Sequence, residues 1–202
     1  MTRDEPLPRE RILEATITCI ERDGLTNLTT RRIAEEAGAN IAAINYYFRS
    51  KDALVTEALD MTLKHMMGDI FAYLDDSEKP FPEILEEVFF YLIDGGQRFP
   101  GIIMAHIYGA LIEKRSGTPL MKVFQQLSER LVARAAQAYP QRAPEALRIG
   151  LAEIMAAVVF NALLPEFFQL QAGLDLSQPG AERRLAKYMV ALFEKSGDLA
   201  GF

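Results

Sequence analysis

Residues 28–54, LTTRRIAEEAGANIAAINYYFRSKDAL, hold the most restrictive spacing in the chain. Ala34 leaves a surface that a second helix can approach closely, Gly38 permits a tight turn, and Ile33, Ile41 and Ile44 supply a small core. The spacing predicts one helix from Thr30 to Ala37 behind a Thr29 cap and a second from an Asn40 cap to Tyr47. On the second helix Asn40, Ala42, Ala43, Asn45 and Tyr46 are left facing outward, short or hydrogen-bonding side chains with no charge among them. Such a face suits contact with base edges in a major groove about 12 Å wide. Two core helices joined by a glycine are also common in helical proteins, and spacing alone leaves that alternative open.

Other chemistries find no constellation. No nucleophile lies beside a base, no paired carboxylates mark an apolar site, and no glycine-rich phosphate loop occurs. Ser116-Gly117-Thr118 has no neighbouring base, and Glu86-Glu87 reads as a solvated patch. The two histidines, His65 and His106, show no ligand motif, and Cys19 is the single cysteine, placed on the apolar face of the first helix as a core residue. The expectation is therefore a protein that is not an enzyme, with no catalytic residue, cofactor or metal.

Of 202 residues half are apolar and a quarter charged, with a net charge of −6, which excludes a disordered chain and argues against coating nucleic acid by bulk electrostatics. Residues 29–51 reverse that sign, with Arg31, Arg32, Arg49 and Lys51 against Glu35 and Glu36. The longest uncharged stretch, Phe99 to Ile112, is 14 residues, short of the ~20 needed to cross a bilayer. The N-terminal MTRDEPLPRER mixes both charges where a signal peptide needs an apolar core. A cytoplasmic protein without membrane association is expected.

Apolar residues recur at three and four throughout, so the chain reads as all-α, with about nine helices. A three-helix helix-turn-helix domain is expected over 1–50 and a larger helical domain over 51–202. A helix from Ser50 to about Asp75 is followed by DDSEKPFP, the clearest hinge. Gly95-Gly96 weakens the next helix and Pro100 ends it, while Pro165 marks a kink later in the chain.

The stretch from Leu28 to Leu54 strongly resembles the DNA-binding segment of the tetracycline-repressor (TetR/AcrR) family of bacterial transcriptional regulators. The resemblance is carried by Thr29-Thr30, Ile33-Ala34, Ala37-Gly38, the aromatic pair before Phe48, and Ser50-Lys51-Asp52 followed by Leu54. It covers about the first 60 residues, and the remainder is similar only in architecture. It implies a sequence-specific DNA-binding regulator, a repressor released from a palindromic operator by a small apolar ligand. Thr29 and Tyr47 would hold phosphates, Lys51 another, and Arg31 would lie near base edges. Asn40 replaces the usual Ser or Thr cap, and Asn45 stands where an aromatic residue is more frequent; Asn45 could pair bidentately with adenine N6 and N7.

His65, Tyr91, His106, Tyr108 and Asn161 are polar groups inside apolar helices and, with Met66, Met104, Phe124 and Phe160, form the candidate effector pocket. The helices at about 144–171 and 179–197 carry wide apolar faces that predict a homodimer, with Leu151, Ile154, Val158, Leu185, Met189 and Leu192 in the interface. Two other readings remain at this stage: an effector-independent regulator, and a helical protein-binding adaptor without DNA binding.

Overall fold

The computed structural model describes residues 8–112 and 117–196, so the readings of residues 1–7 and of Ser116 lie outside the described residues. Among those residues the chain forms ten α-helices, one more than expected: α1 (Pro8–Asp23), α2 (Thr30–Ala37), α3 (Ile41–Phe48), α4 (Lys51–Leu74), α5 (Phe81–Arg98), α6 (Pro100–Leu111), α7 (Pro119–Ala138), α8 (Pro144–Leu163), α9 (Pro165–Ala172) and α10 (Ala181–Ser196). A single 3-10 turn, Leu25–Asn27, follows α1. The helices that the spacing did not separate are α6 and α9. Pro100 ends α5, as expected, but proline also suits the first turn of a helix, where its missing N–H costs nothing.

Two compact units result, Met1–His65 with Gly101–Leu120, and Met66–Pro100 with Met121–Phe202. This division differs from a cut after residue 50, because α4 belongs to both units and α6 joins the first.

In the first unit Ile12, Ile20, Leu28, Ile33, Ile44, Phe48 and Leu54 share a core with Ile102 and Ala105 of α6. The Glu21 carboxylate accepts from the backbone N–H of Gly101 (3.2 Å) and Ile102 (3.0 Å), satisfying two donors that the start of α6 leaves free. The helices touch at Gly101, where a Cβ would stand 2.6 Å from the Glu21 carbonyl oxygen. Cys19 is buried as expected, and burial raises its thiol pKa. Ile41 departs from expectation: it is 46% exposed while Ile33 and Ile44 are sealed. At the first position of α3 it precedes Ile44 and Phe48, which alone form the inward stripe.

The second unit packs α5, α7, α8 and α10 around Phe81, Leu85, Val88, Phe89, Leu151, Val158, Leu185 and Phe193. The rings of Phe81, Tyr139 and Phe193 meet edge to face at 6.0–6.2 Å, and Arg142 lies over Tyr139 at 4.3 Å. Four expectations change here. Glu86 and Glu87 are paired with Arg183 of α10, at 3.2 and 3.1 Å, and do not form a solvated patch. The 75–80 connection is tied down by Arg130 to Asp75 (3.1 Å) and by Arg134 to the Asp76 carbonyl (3.0 Å). Gly95 and Gly96 stay helical, and Gly96 allows contact with α8: a Cβ there would be 2.4 Å from that of Ala162. At Pro165 the chain breaks into two helices instead of kinking one.

One helix, α8, is long and apolar enough to cross a membrane, counter to the expectation from uncharged runs. Its apolar residues occupy more than one face: Leu147, Leu151 and Val158 enter the core, while Ile149 and Phe160 are exposed. A helix apolar on several faces needs cover on more than one side.

Candidate nucleic-acid interface and effector residues

The two helices expected to meet DNA are set by local rules. The Thr29 hydroxyl accepts from the Arg32 N–H at 3.3 Å and caps α2. Gly38 ends it in a left-handed conformation (φ 59°), which L side chains rarely adopt. Asn40 then caps α3, its Oδ1 accepting from Ala43 N–H at 2.7 Å. Ile44 and Phe48 anchor α3 inward, so Ala42, Asn45 and Tyr46 stand outward and Ala43 is half-buried. Tyr46 is 81% exposed and meets Tyr47 edge to face at 5.2 Å. An exposed tyrosine pair beside an uncharged helical face offers donors and stacking surface without charge repulsion or attraction.

Cations frame this face. Arg31 is exposed and pairs with Glu35 one turn on, Nε to Oε1 3.0 Å, a surface bond weak enough to exchange for another acceptor. Lys51 opens α4 and donates from Nζ to the Leu28 carbonyl at 3.0 Å. The lysine therefore fixes the strand of backbone before Thr29 while keeping two further N–H donors. Arg22 and Arg32, by contrast, are drawn into ion pairs with Asp23 at 3.2 and 3.3 Å, and Arg22 also with Glu36 at 2.7 Å; these tie α1 to α2. Arg49 counts among the cations of residues 29–51 but carries no contact expected from the sequence. It is exposed, with φ 60°, at the end of α3, and its signal was a cation between the Asn40-capped helix and the Ser50 cap, whose hydroxyl accepts from Ala53 N–H at 3.1 Å.

The candidate effector residues divide between the units. In the first, His65 and Met104 are exposed and Tyr108 is half-buried. His106 contacts Thr62 Oγ1 at 2.8 Å through Nε2. Thr62 already donates its only hydroxyl proton to the Leu59 carbonyl at 2.8 Å, so His106 must donate from Nε2–H. Burial lowers the histidine pKa to about 4, which keeps the ring neutral. In the second unit Tyr91 donates to Asp69 at 2.7 Å, and burial followed by that carboxylate raises its pKa. Met66 and Phe124 are half-buried, Phe160 is exposed against Phe167 at 5.3 Å, and Asn161 is buried.

Of the expected interface residues, Leu151, Val158, Leu185 and Met189 lie inside the second unit's own core, Ile154 is half-buried, and Leu192 is 44% exposed. The apolar period could not say which stripe of these two helices enters the monomer's own core. Ile149, Phe160, Tyr188 and Leu192 are the large apolar side chains that α8 and α10 leave outside.

Residues 12–58 match the family of bacterial regulatory proteins, tetR family. A BetI 2 transcriptional regulator from Chromohalobacter salexigens is 35% identical over 66 residues, 33% of this chain and 30% of that protein. The nicotine-responsive transcriptional repressor HdnoR of Paenarthrobacter nicotinovorans is 36% identical over 70 residues, 35% of this chain and 36% of that protein. The chain thus spans about a third of the length of these curated relatives. The fold likeness is longer. A TetR transcription regulator from Haloarcula marismortui superposes with a TM-score of 0.65 at 22% identity, covering 94% of this chain and 97% of that one. The transcriptional regulator FadR of Bacillus subtilis, solved in complex with stearoyl-CoA, gives 0.66 at 13% identity, covering 91% and 96%. The capped helix pair thus lies within the segment that matches the tetR family of bacterial regulatory proteins, and along almost its whole length the chain shares the fold of these solved structures.

Proposed function

We propose that the protein is a cytoplasmic, sequence-specific transcriptional repressor that binds a palindromic operator as a homodimer and leaves it when a small, largely apolar ligand binds. The observation that carries this reading is the α3 face: Asn40, Asn45 and Tyr46 outward and uncharged, rigidly capped at Thr29 and Asn40, and framed by Arg31 and Lys51. The cations supply sequence-independent attraction to phosphates, and the neutral face reads base edges. Two-fold symmetry of a dimer calls for two-fold half-sites, spaced by a helical turn of about 34–36 Å or a multiple of it.

Dimerisation through α8 and α10 is favoured by their exposed Ile149, Phe160, Tyr188 and Leu192, whose burial against a second copy would remove apolar surface from water. Release by ligand is favoured by α4, one unbroken helix that begins at Lys51 beside the recognition helix and ends at Leu74 in the second unit. The ligand must prefer the state that does not bind DNA, since equal affinity for both shifts nothing.

The test is a gel shift and footprint with the DNA upstream of the protein's own coding sequence. Protection of two symmetric half-sites by the wild type, lost in Asn45→Ala with the fold intact, is the expected result. Absence of any protected site, with a dimer shown by sedimentation, would overturn the regulator reading in favour of an adaptor.

A further inference from the structure

Among the described residues of the second unit, two side-chain polar atoms are buried with no hydrogen-bond partner: Nε2 of Gln97 on α5 and Oδ1 of Asn161 on α8. Asn161 is 4% exposed, and its orientation is fixed because its Nδ2 donates to the Ala157 carbonyl at 2.8 Å. Turning the amide over would set Oδ1 against that carbonyl. Such groups are uncommon in folded proteins and call for a partner.

Helix geometry sets the two residues on one side of the α5–α8 contact. α5 and α8 run in the same direction, since Phe81 and Gly150, early in each, both lie against Phe193, and Gly96 and Ala162, late in each, touch. Successive residues turn by about 100° around a helix. In a parallel pair the residue after Gly96 and the residue before Ala162 therefore turn to the same side of the contact. One is a donor and the other an acceptor. One turn back on each helix stand Ile93 and Val158, both fully buried.

We propose that Gln97 and Asn161 form the polar end of the effector site and select a neutral group that both accepts and donates, an alcohol hydroxyl or a carboxamide on an apolar body. This rests on the ligand-responsive reading above and narrows its ligand. The group accepts from Gln97 Nε2 and donates to Asn161 Oδ1. A carboxylate would bring no proton to Asn161, and an ammonium would bring no acceptor to Gln97; each would also lose its hydration without a counter-charge. Ile93 and Val158 require the rest of the molecule to be apolar.

The experiment titrates the full chain, labelled with nitrogen-15, with two matched probe sets: 1-octanol, octanamide, octanoate and octylamine, and benzyl alcohol, benzamide, benzoate and benzylamine. The side-chain amide signals of Gln97 and Asn161 are assigned by their loss in Gln97→Leu and Asn161→Leu. In at least one set the alcohol or the amide is expected to shift both signals together, with at least tenfold weaker binding to Gln97→Leu, whose fold is checked by circular dichroism. Failure of every neutral probe, equal response to octanoate or benzoate, or unchanged binding to Gln97→Leu would each overturn the proposal, leaving the pair to an ordered water only. Operator binding by the unliganded protein is measured separately, so its absence would sink the regulator reading and not this one.

Discussion

Around α2 and α3 polar side chains satisfy the backbone: Thr29, Asn40 and Ser50 each cap a helix start, Glu21 accepts from two N–H groups of α6, and Lys51 donates to the Leu28 carbonyl. In the second unit several polar bonds join side chains far apart in the chain, such as Arg183 with Glu86 and Glu87 or Tyr139 with Glu194, and Gln97 and Asn161 each keep an unmatched atom. The first arrangement fixes the backbone at the starts of four helices. The second fixes helix packing and leaves polar groups for something else to meet. Regulators that share a recognition architecture and differ in effector are served by that separation.

The sharpest way to break this comparison is to add one methyl to each unit. At Gly101 a Cβ would meet Glu21 backbone atoms at 2.6 and 2.8 Å, and at Gly96 it would meet Ala162 at 2.4 Å; none of these contacts is with the far end of a flexible side chain. Gly101→Ala and Gly96→Ala should each cost about 3 kcal/mol or more in urea unfolding, the upper part of the range for overpacked sites. The consequences should differ. Gly101→Ala should weaken operator binding in proportion to the displacement of α6 from α1, whereas Gly96→Ala should disturb effector response first. Equal loss of DNA binding in both would mean that the two units are not separable in function.

Next in size are changes on the groove face that leave the fold alone. Asn45→Ala and Arg31→Ala remove exposed side chains that hold no helix together. Each should cost about 1–3 kcal/mol per half-site if it reaches a base edge, with unfolding free energy changed by less than about 0.5 kcal/mol. Relaxed preference at one operator position, read by competition with substituted duplexes, would identify the base. Unchanged affinity in both variants would show that a different face enters the groove.

How much of this was legible before the structure follows the same divide. Thr29, Gly38 and Asn40 act within three residues of themselves, so type and spacing were enough to place both helices. Glu21 acts on Gly101 and Ile102, far along the chain, and no local pattern announces a carboxylate cap at that separation. The α8 sequence carries apolar residues on several faces, so its period could not distinguish Leu151, which enters the core, from Ile149, which does not. Gln97 was passed over because a glutamine on a helix is ordinarily at the surface; only the packing of α5 on α8 buries its nitrogen.

A pH experiment sharpens the comparison within the first unit. His106 titrates near 6.5 when unfolded and near 4 when folded, because burial disfavours its charged form. Between those values the unfolded chain binds more protons, so stability is complete above about pH 6.5, falls as pH is lowered towards 4, and loses nothing further from this group below that. The loss between pH 7 and 5 should be about 2 kcal/mol. Carboxylates titrate in the same window, so the comparison is with His106→Gln, which retains a donor for Thr62; its unfolding free energy should fall less over that range. Identical pH dependence in the two proteins would remove His106 as the cause.

The smallest expected effect is also the one most easily misread. Lys51 both donates to the Leu28 carbonyl and, by the resemblance, meets a phosphate, so Lys51→Ala loses two things at once. The ammonium is exposed, which limits the structural bond to about 1 kcal/mol. A phosphate contact, in contrast, is recognised by its counter-ions: its loss weakens binding to all sequences alike and reduces the slope of log affinity against log salt by about one. Lys51→Arg separates the two roles, since a guanidinium keeps the charge and the phosphate contact but cannot reproduce a single short Nζ bond to a fixed carbonyl. If Lys51→Arg keeps the wild-type salt slope with slightly lower stability while Lys51→Ala loses both, the lysine serves the fold and the groove together. If neither variant changes the slope, Lys51 shapes the reader without touching what is read.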